Sequence, residues 1–125
     1  MPIYSNSQPP ISLAPGEVGF SFSSEAVPAS ATAGSQLALV HNPVGAQQGF
    51  ALRWQTLFTT APTAINVSLQ GAMTDVDAEY KDIDTTTNVN GEARTAPGVQ
   101  ARFVRLRVNS STVGSGAGFT GKVLV

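Results

Sequence analysis

The run Asp75–Asp84, DVDAEYKDID, places five carboxylates within ten residues. Asp75, Asp77 and Glu79 occupy alternate positions, the spacing with which a calcium loop opens. An EF-hand loop also requires glycine at its sixth position and glutamate at its twelfth. Here those positions hold Tyr80 and Thr86. The three acids are therefore candidates only for a weak calcium site in a β-loop, and otherwise form an exposed acidic loop. His41 is the sole histidine and cysteine is absent, so zinc sites of the usual kind are excluded. A Ser-His-Asp relay would have to use His41, and no serine lies in a G-x-S-x-G turn. Two suitably spaced acids could serve a glycosidase, but a small sandwich leaves little room for a deep cleft. The glycine-rich Ser111–Gly118 lacks the lysine and the strand-to-helix setting of a phosphate loop. The expectation is a protein that is not an enzyme and carries no cofactor.

A second stretch, VQARFVRLRV (residues 99–108), interleaves three arginines with six apolar residues. Side chains alternate across a strand. One side takes Arg102, Val104, Leu106 and Val108; the other takes Ala101, Phe103, Arg105 and Arg107. The reading is that Val104, Leu106 and Val108 face the core with Arg102 at its rim. Phe103, Arg105 and Arg107 then stand on the outer face. There they can pair with nearby carboxylates or form a protein-interface patch, since arginine and aromatic residues are enriched at binding hot spots. Nucleic acid is disfavoured as a partner, because phosphate neutralisation requires a basic excess and the net charge is −1.

These residues must be positioned by β-structure. In the 125 residues, 12% are charged, about half the ordinary share, so the surface must consist largely of small neutral polar residues. Such a surface suits a protein packed against others. No apolar run approaches the length of a membrane span, and MPIYSNSQPP has neither the basic region nor the apolar core of a secretion signal. The expected place of synthesis is the cytoplasm. Residues 1–16 hold four of the eight prolines and read as an extended arm, with Ile3 and Tyr4 as candidate contacts to a neighbouring subunit.

From residue 17 to residue 125 the sequence alternates with the period of half-buried strands. Val18, Phe20 and Phe22 share one face of the first run; residues 23–35 read as a loop, followed by a short strand at Gln36–Val40. In the strongest core segment Phe50, Leu52, Trp54 and Phe58 fall together, so Trp54 reads as core and not as a sugar-stacking platform. Ile65, Val67 and Leu69 alternate with Asn66, Ser68 and Gln70. Phe119, Gly121, Val123 and Val125 share a face of the last strand. The connections at residues 59–64, at Asn90-Gly91 and at residues 111–118 read as hairpin-like turns. No window has capped helical spacing. About seven to nine strands separated by turn chemistry indicate an all-β, single-domain antiparallel β-sandwich, jelly-roll-like, with the extended arm ahead of it.

Across residues 50–125, the strand AINVSLQGA with its V-S-L-Q-G core, the acidic loop, the D-T-T turn, GEART, the ARFVR strand and the closing GKVLV resemble small β-sandwich virion accessory proteins of tailed bacteriophages. The Gln-Gly here is followed by AMTDVD where comparable ligand-binding sandwiches carry S-x-D-G, so no ligand is carried over. The resemblance implies a capsid decoration, or cement, protein, localised to the virion. Its partner would be the major capsid protein or another virion protein, and it would be a homo-oligomer. The alternative it implies is a carbohydrate- or receptor-binding module of a tail or fibre. Neither reading calls for a membrane or a metal.

Overall fold

The structure is a computed structural model that describes residues 11–13, 17–26, 30–39, 50–99, 101–112 and 117–124. Ile3, Tyr4 and His41 lie outside the described residues. Ten strands are described: β1 (Ile11–Leu13), β2 (Val18–Ala26), β3 (Ser30–Ala33), β4 (Leu37–Leu39), β5 (Phe50–Thr60), β6 (Ala64–Ala72), β7 (Lys81–Thr86), β8 (Ala93–Val99), β9 (Phe103–Thr112) and β10 (Ala117–Leu124). They form two sheets. One runs β1-β4-β9-β6-β7, with β3 also on β9; the other runs β2-β10-β5-β8. Except for the parallel β1·β4 contact, the described pairs are antiparallel.

Setting aside β1 and β3, the two orders are those of a jelly roll: first, eighth, third and sixth strands in one sheet; second, seventh, fourth and fifth in the other. This order corrects the hairpin expectations. The β5–β6, β7–β8 and β9–β10 connections all cross between sheets, whereas the β6–β7 connection joins two paired strands. Turn chemistry is still legible at Asn90-Gly91: Gly91 has φ +79°, and a Cβ there would lie 2.4 Å from the Thr56 carbonyl oxygen. Within the loop expected over residues 23–35, residues 23–26 continue β2 and Ser30–Ala33 form β3, and Ile11–Leu13 of the expected arm pair with β4 of the same chain.

Alternation fills the space between the sheets as expected. Leu52, Trp54, Val67, Leu69, Val104, Leu106, Val108, Phe119 and Val123 are essentially inaccessible. The Phe119 ring packs against Phe22 and Phe58, at centroid distances of 5.0 and 5.2 Å.

The exception is β2. Phe20 lies opposite Lys122 and Phe22 opposite Gly121, so Ser21 is an extra residue in a β-bulge. Both Ser21 and Phe22 turn inward, while Val18 and Phe20 turn out to solvent. Val18, Phe20 and Phe22 therefore do not share a face, because one inserted residue reverses the phase of everything before it. The inward Ser21 has a structural task. Along β9, β3 pairs with residues 107–110 and β4 with residues 103–104, leaving a gap. In that gap the Leu106 N–H donates to Ser21 Oγ at 3.0 Å, and Ser21 Oγ donates to the Ser35 carbonyl at 2.9 Å. The Leu106 carbonyl accepts from Gly34 N at 2.8 Å.

Replacing Ser21 by alanine strands a buried backbone donor that has no solvent to turn to. The expected loss is about 1–3 kcal/mol, read as a lower urea midpoint at unchanged slope. A midpoint equal to that of the unaltered chain would show that the cross-sheet hydroxyl contributes nothing.

Candidate functional site: two exposed apolar flanks and two internal polar clusters

Arg105 is the point at which the outer-face reading of β9 is corrected. It does leave the core side, as alternation requires, but it is only 5% exposed. The β6–β7 connection, which contains a single 3-10 turn at Asp77–Glu79, folds over it. Arg105 Nε donates to Gln70 Oε1 at 3.0 Å, and Nη1 meets Asp77 Oδ1 at 2.6 Å. The guanidinium carbon lies 4.0 Å from the centroid of the Tyr80 ring, a cation–π contact. Gln70 is held from the far side by donating to Asp82 Oδ1 at 2.9 Å. The Tyr80 hydroxyl donates to Asp75 Oδ1 at 2.8 Å. Burial, and then that bond to a carboxylate, hold the Tyr80 hydroxyl far above its ordinary pKa.

Two acids of the calcium-like spacing are thus internal partners: Asp75 for Tyr80 and Asp77 for Arg105. Glu79 points to solvent. Among the described residues no three acidic or imidazole groups converge as a metal ligand set. Of the expected interface patch, Phe103 and Arg107 remain half-buried on the outer face. Arg107 donates to Asn109, whose amide donates to Asn66 Oδ1 at 3.0 Å and Ser68 Oγ at 2.7 Å. This face is stitched to itself by side-chain hydrogen bonds.

A second cluster closes the side of the sandwich where β7 of one sheet faces β8 of the other. Trp54 and Arg94 are cross-strand neighbours on β5 and β8, and both reach across to Asp84 of β7. Trp54 Nε1 donates to Asp84 Oδ2 at 3.0 Å; Arg94 Nε and Nη2 hold Oδ2 and Oδ1 at 2.8 and 3.0 Å. The forked guanidinium matches the carboxylate plane. Arg94 Nη1 also donates to Glu92 Oε1 at 3.2 Å, and the Thr86 hydroxyl donates to the same oxygen. Hydrogen bonding to Arg94, then to Trp54, holds the Asp84 carboxyl below its ordinary value of 3.8, despite opposing desolvation. The Thr86 hydroxyl, then Arg94, lowers Glu92 from 4.5 in the same way. The arrangement is a clamp between sheets, and these charges are structural.

Among the described residues, the large exposed apolar side chains lie on two flanks. On the outer face of the β2-β10-β5-β8 sheet, Val18 is 54% and Phe20 51% exposed, with Leu124 and Leu57 also accessible. Rows across the sheet run Val18–Leu124–Arg53 and Phe20–Lys122–Gln55. The Lys122 ammonium sits 5.5 Å from the Phe20 ring centroid. The described outward side chains of these strands include no carboxylate. On the opposite flank, an open cleft of about 520 Å³ lies between the β6–β7 connection, β7 and the end of β8. Ala72 and Val99 line its buried floor, and Met73, 70% exposed, and Ile83 stand at its wall. Glu79, Lys81 and Asp82 also line the cleft.

Of these flank residues, sequence reasoning named only Glu79 as a site residue, and that as a weak calcium candidate. Leu57 and Leu124 carried a signal, since each is an apolar residue out of phase in an otherwise polar face. Val18 and Phe20 carried none, because the bulge that exposes them has no local sequence mark. Compared with known proteins, the chain matches no protein-family model and no curated sequence.

Two outcomes follow from the polar clusters. Arg105→Ala removes the buried guanidinium that bonds Gln70 and Asp77 and costs about 1–3 kcal/mol, whereas Arg107→Ala lowers stability by at most about 0.5 kcal/mol; equal effects would contradict the buried assignment. Because the folded-state pKa values of Asp84 and Glu92 are depressed, their stabilisation is complete above the unfolded values of 3.8 and 4.5 and fades as pH falls through the lower folded ones. Asp84→Asn should flatten the acid limb of a stability–pH curve measured by urea unfolding, and a limb as steep as before would remove the clamp from the account.

Proposed function

We propose that this chain is a non-catalytic structural protein of a virus particle, which docks on the outside of the capsid and stabilises it as a decoration protein does. The observation that supports the reading is the distribution of its surface. Arg94 and Arg105 are tied into the fold, while large apolar side chains stand out on two opposite flanks. A jelly roll that presents apolar area, with no converging acidic or imidazole groups among the described residues, is suited to burying surface against other proteins. Stable contacts of this kind bury about 800 Å² on each partner, and repetition over a shell multiplies the effect of each contact.

The resemblance of residues 50–125 to phage virion accessory proteins supplies the particle; the flanks supply the means of attachment. The test is quantitative mass spectrometry of purified particles, combined with heating of particles that lack the protein. The reading expects copy numbers on the scale of the shell protein and genome release at a lower temperature without it. A few copies per particle, or unchanged heat resistance, would overturn it, the former in favour of a tail or fibre receptor-binding module.

A further inference from the structure

The two exposed flanks have complementary chemistry, and we infer that they fit each other: copies of this chain associate head to tail, the Val18–Phe20–Leu124 face of one seated on the Met73–Ile83 cleft of the next. This goes beyond the decoration reading and does not depend on it, because it rests only on surfaces of this chain.

Three observations carry it. The first is position. In the sheet order β2-β10-β5-β8 the apolar face is centred on β2 and β10, while the cleft opens beside β8 and β7. No residue is common to the two surfaces, so one copy presents both. The second is charge. The face carries Arg53 and Lys122 in its two rows, neither of which includes a carboxylate, while the exposed Glu17 stands just before Val18. The cleft carries Glu79 and Asp82 against the single Lys81, a net negative rim. The third weighs against a symmetric dimer through the face, which would gather Arg53 and Lys122 of both copies into one contact. Like charges across a contact are strongly disfavoured. A heterologous contact brings opposite signs together and repeats, giving a ring or a row of subunits. Phe20, half exposed with Lys122 beside it, is the side chain that enters the cleft.

The test is charge exchange on the full-length chain, followed by sedimentation velocity over a wide concentration range. Unaltered protein should form species larger than the monomer as concentration rises. Lys122→Glu and Glu79→Lys should each weaken association by at least about tenfold, and their equimolar mixture should recover it, since each variant then offers the sign the other lacks. A carbodiimide coupling of the unaltered protein, with one population isotopically labelled, should join Lys122 of one copy to Glu79 of another. Both positions are on the surface, and unchanged circular dichroism will confirm that the variants fold; Arg53→Glu serves as the second face variant. A monomer at every concentration, association indifferent to both substitutions, or a mixture no better than its components would overturn the inference. None of these results bears on whether the monomer attaches to a particle.

Discussion

One inserted residue on β2 shapes both the interior and the exterior of this molecule. Ser21 is a residue more than its partner strand can match, and the sheet absorbs it as a bulge. The hydroxyl it sends inward crosses to the facing sheet and satisfies Leu106 in a stretch of β9 that neither β3 nor β4 reaches. The same insertion turns Val18 and Phe20 outward. The break in one ladder is thus repaired by an irregularity in the other. Core integrity and apolar exposure come from the same local distortion, so neither can be altered alone at that point.

The polar residues are divided by layer. On the inner side, at the margin where β7 and β8 come together, Trp54 and Arg94 from one sheet share a carboxylate from the other. A carboxylate held by two donors of this kind fixes the separation of the layers where backbone pairing cannot reach. On the outer side of the larger sheet, Asp82, Gln70 and Arg105 form a cross-strand row capped by Asp77 and Tyr80. A buried guanidinium is tolerated only when its donors are met and its ring-facing surface is covered. Both conditions hold, and the acidic connection is what meets them. Of the acids that look like ligands in sequence, Asp77 holds the arginine directly and Asp75 holds the tyrosine that covers it.

The fold class was legible because two-residue periodicity in β5, β6, β9 and β10 reports directly which side chains face inward. Leu52 and Trp54, Val67 and Leu69, Val104 and Leu106, and Phe119 and Val123 are all where alternation puts them. Three things were not legible. Turn residues such as Asn90-Gly91 dictate local φ and ψ, but they do not say whether the next strand continues in the same sheet or crosses to the other. Bulges at Ser21 and near Gln70 change phase without a characteristic residue. The burial of Arg105 depends on where the connection between β6 and β7 folds back, which is a property of tertiary packing. The exposed flanks inherit all three difficulties, so the apolar surface was the least readable part of the described chain.

The crossing connections have a further consequence, for how the chain reaches this state. In a jelly roll with this strand order, β2 must wait for β10 and β5 must find both β10 and β8, so few native pairings are available to a partly synthesised chain. Topologies dominated by such distant pairings fold on the order of milliseconds to seconds, with strand edges uncovered meanwhile. Low charge offers little repulsion to keep neighbouring nascent chains apart during that interval. Pro97, on the edge strand β8, withholds a backbone donor from passing edges, a safeguard for a chain that would otherwise be prone to pairing with the wrong copy before it has finished pairing with itself.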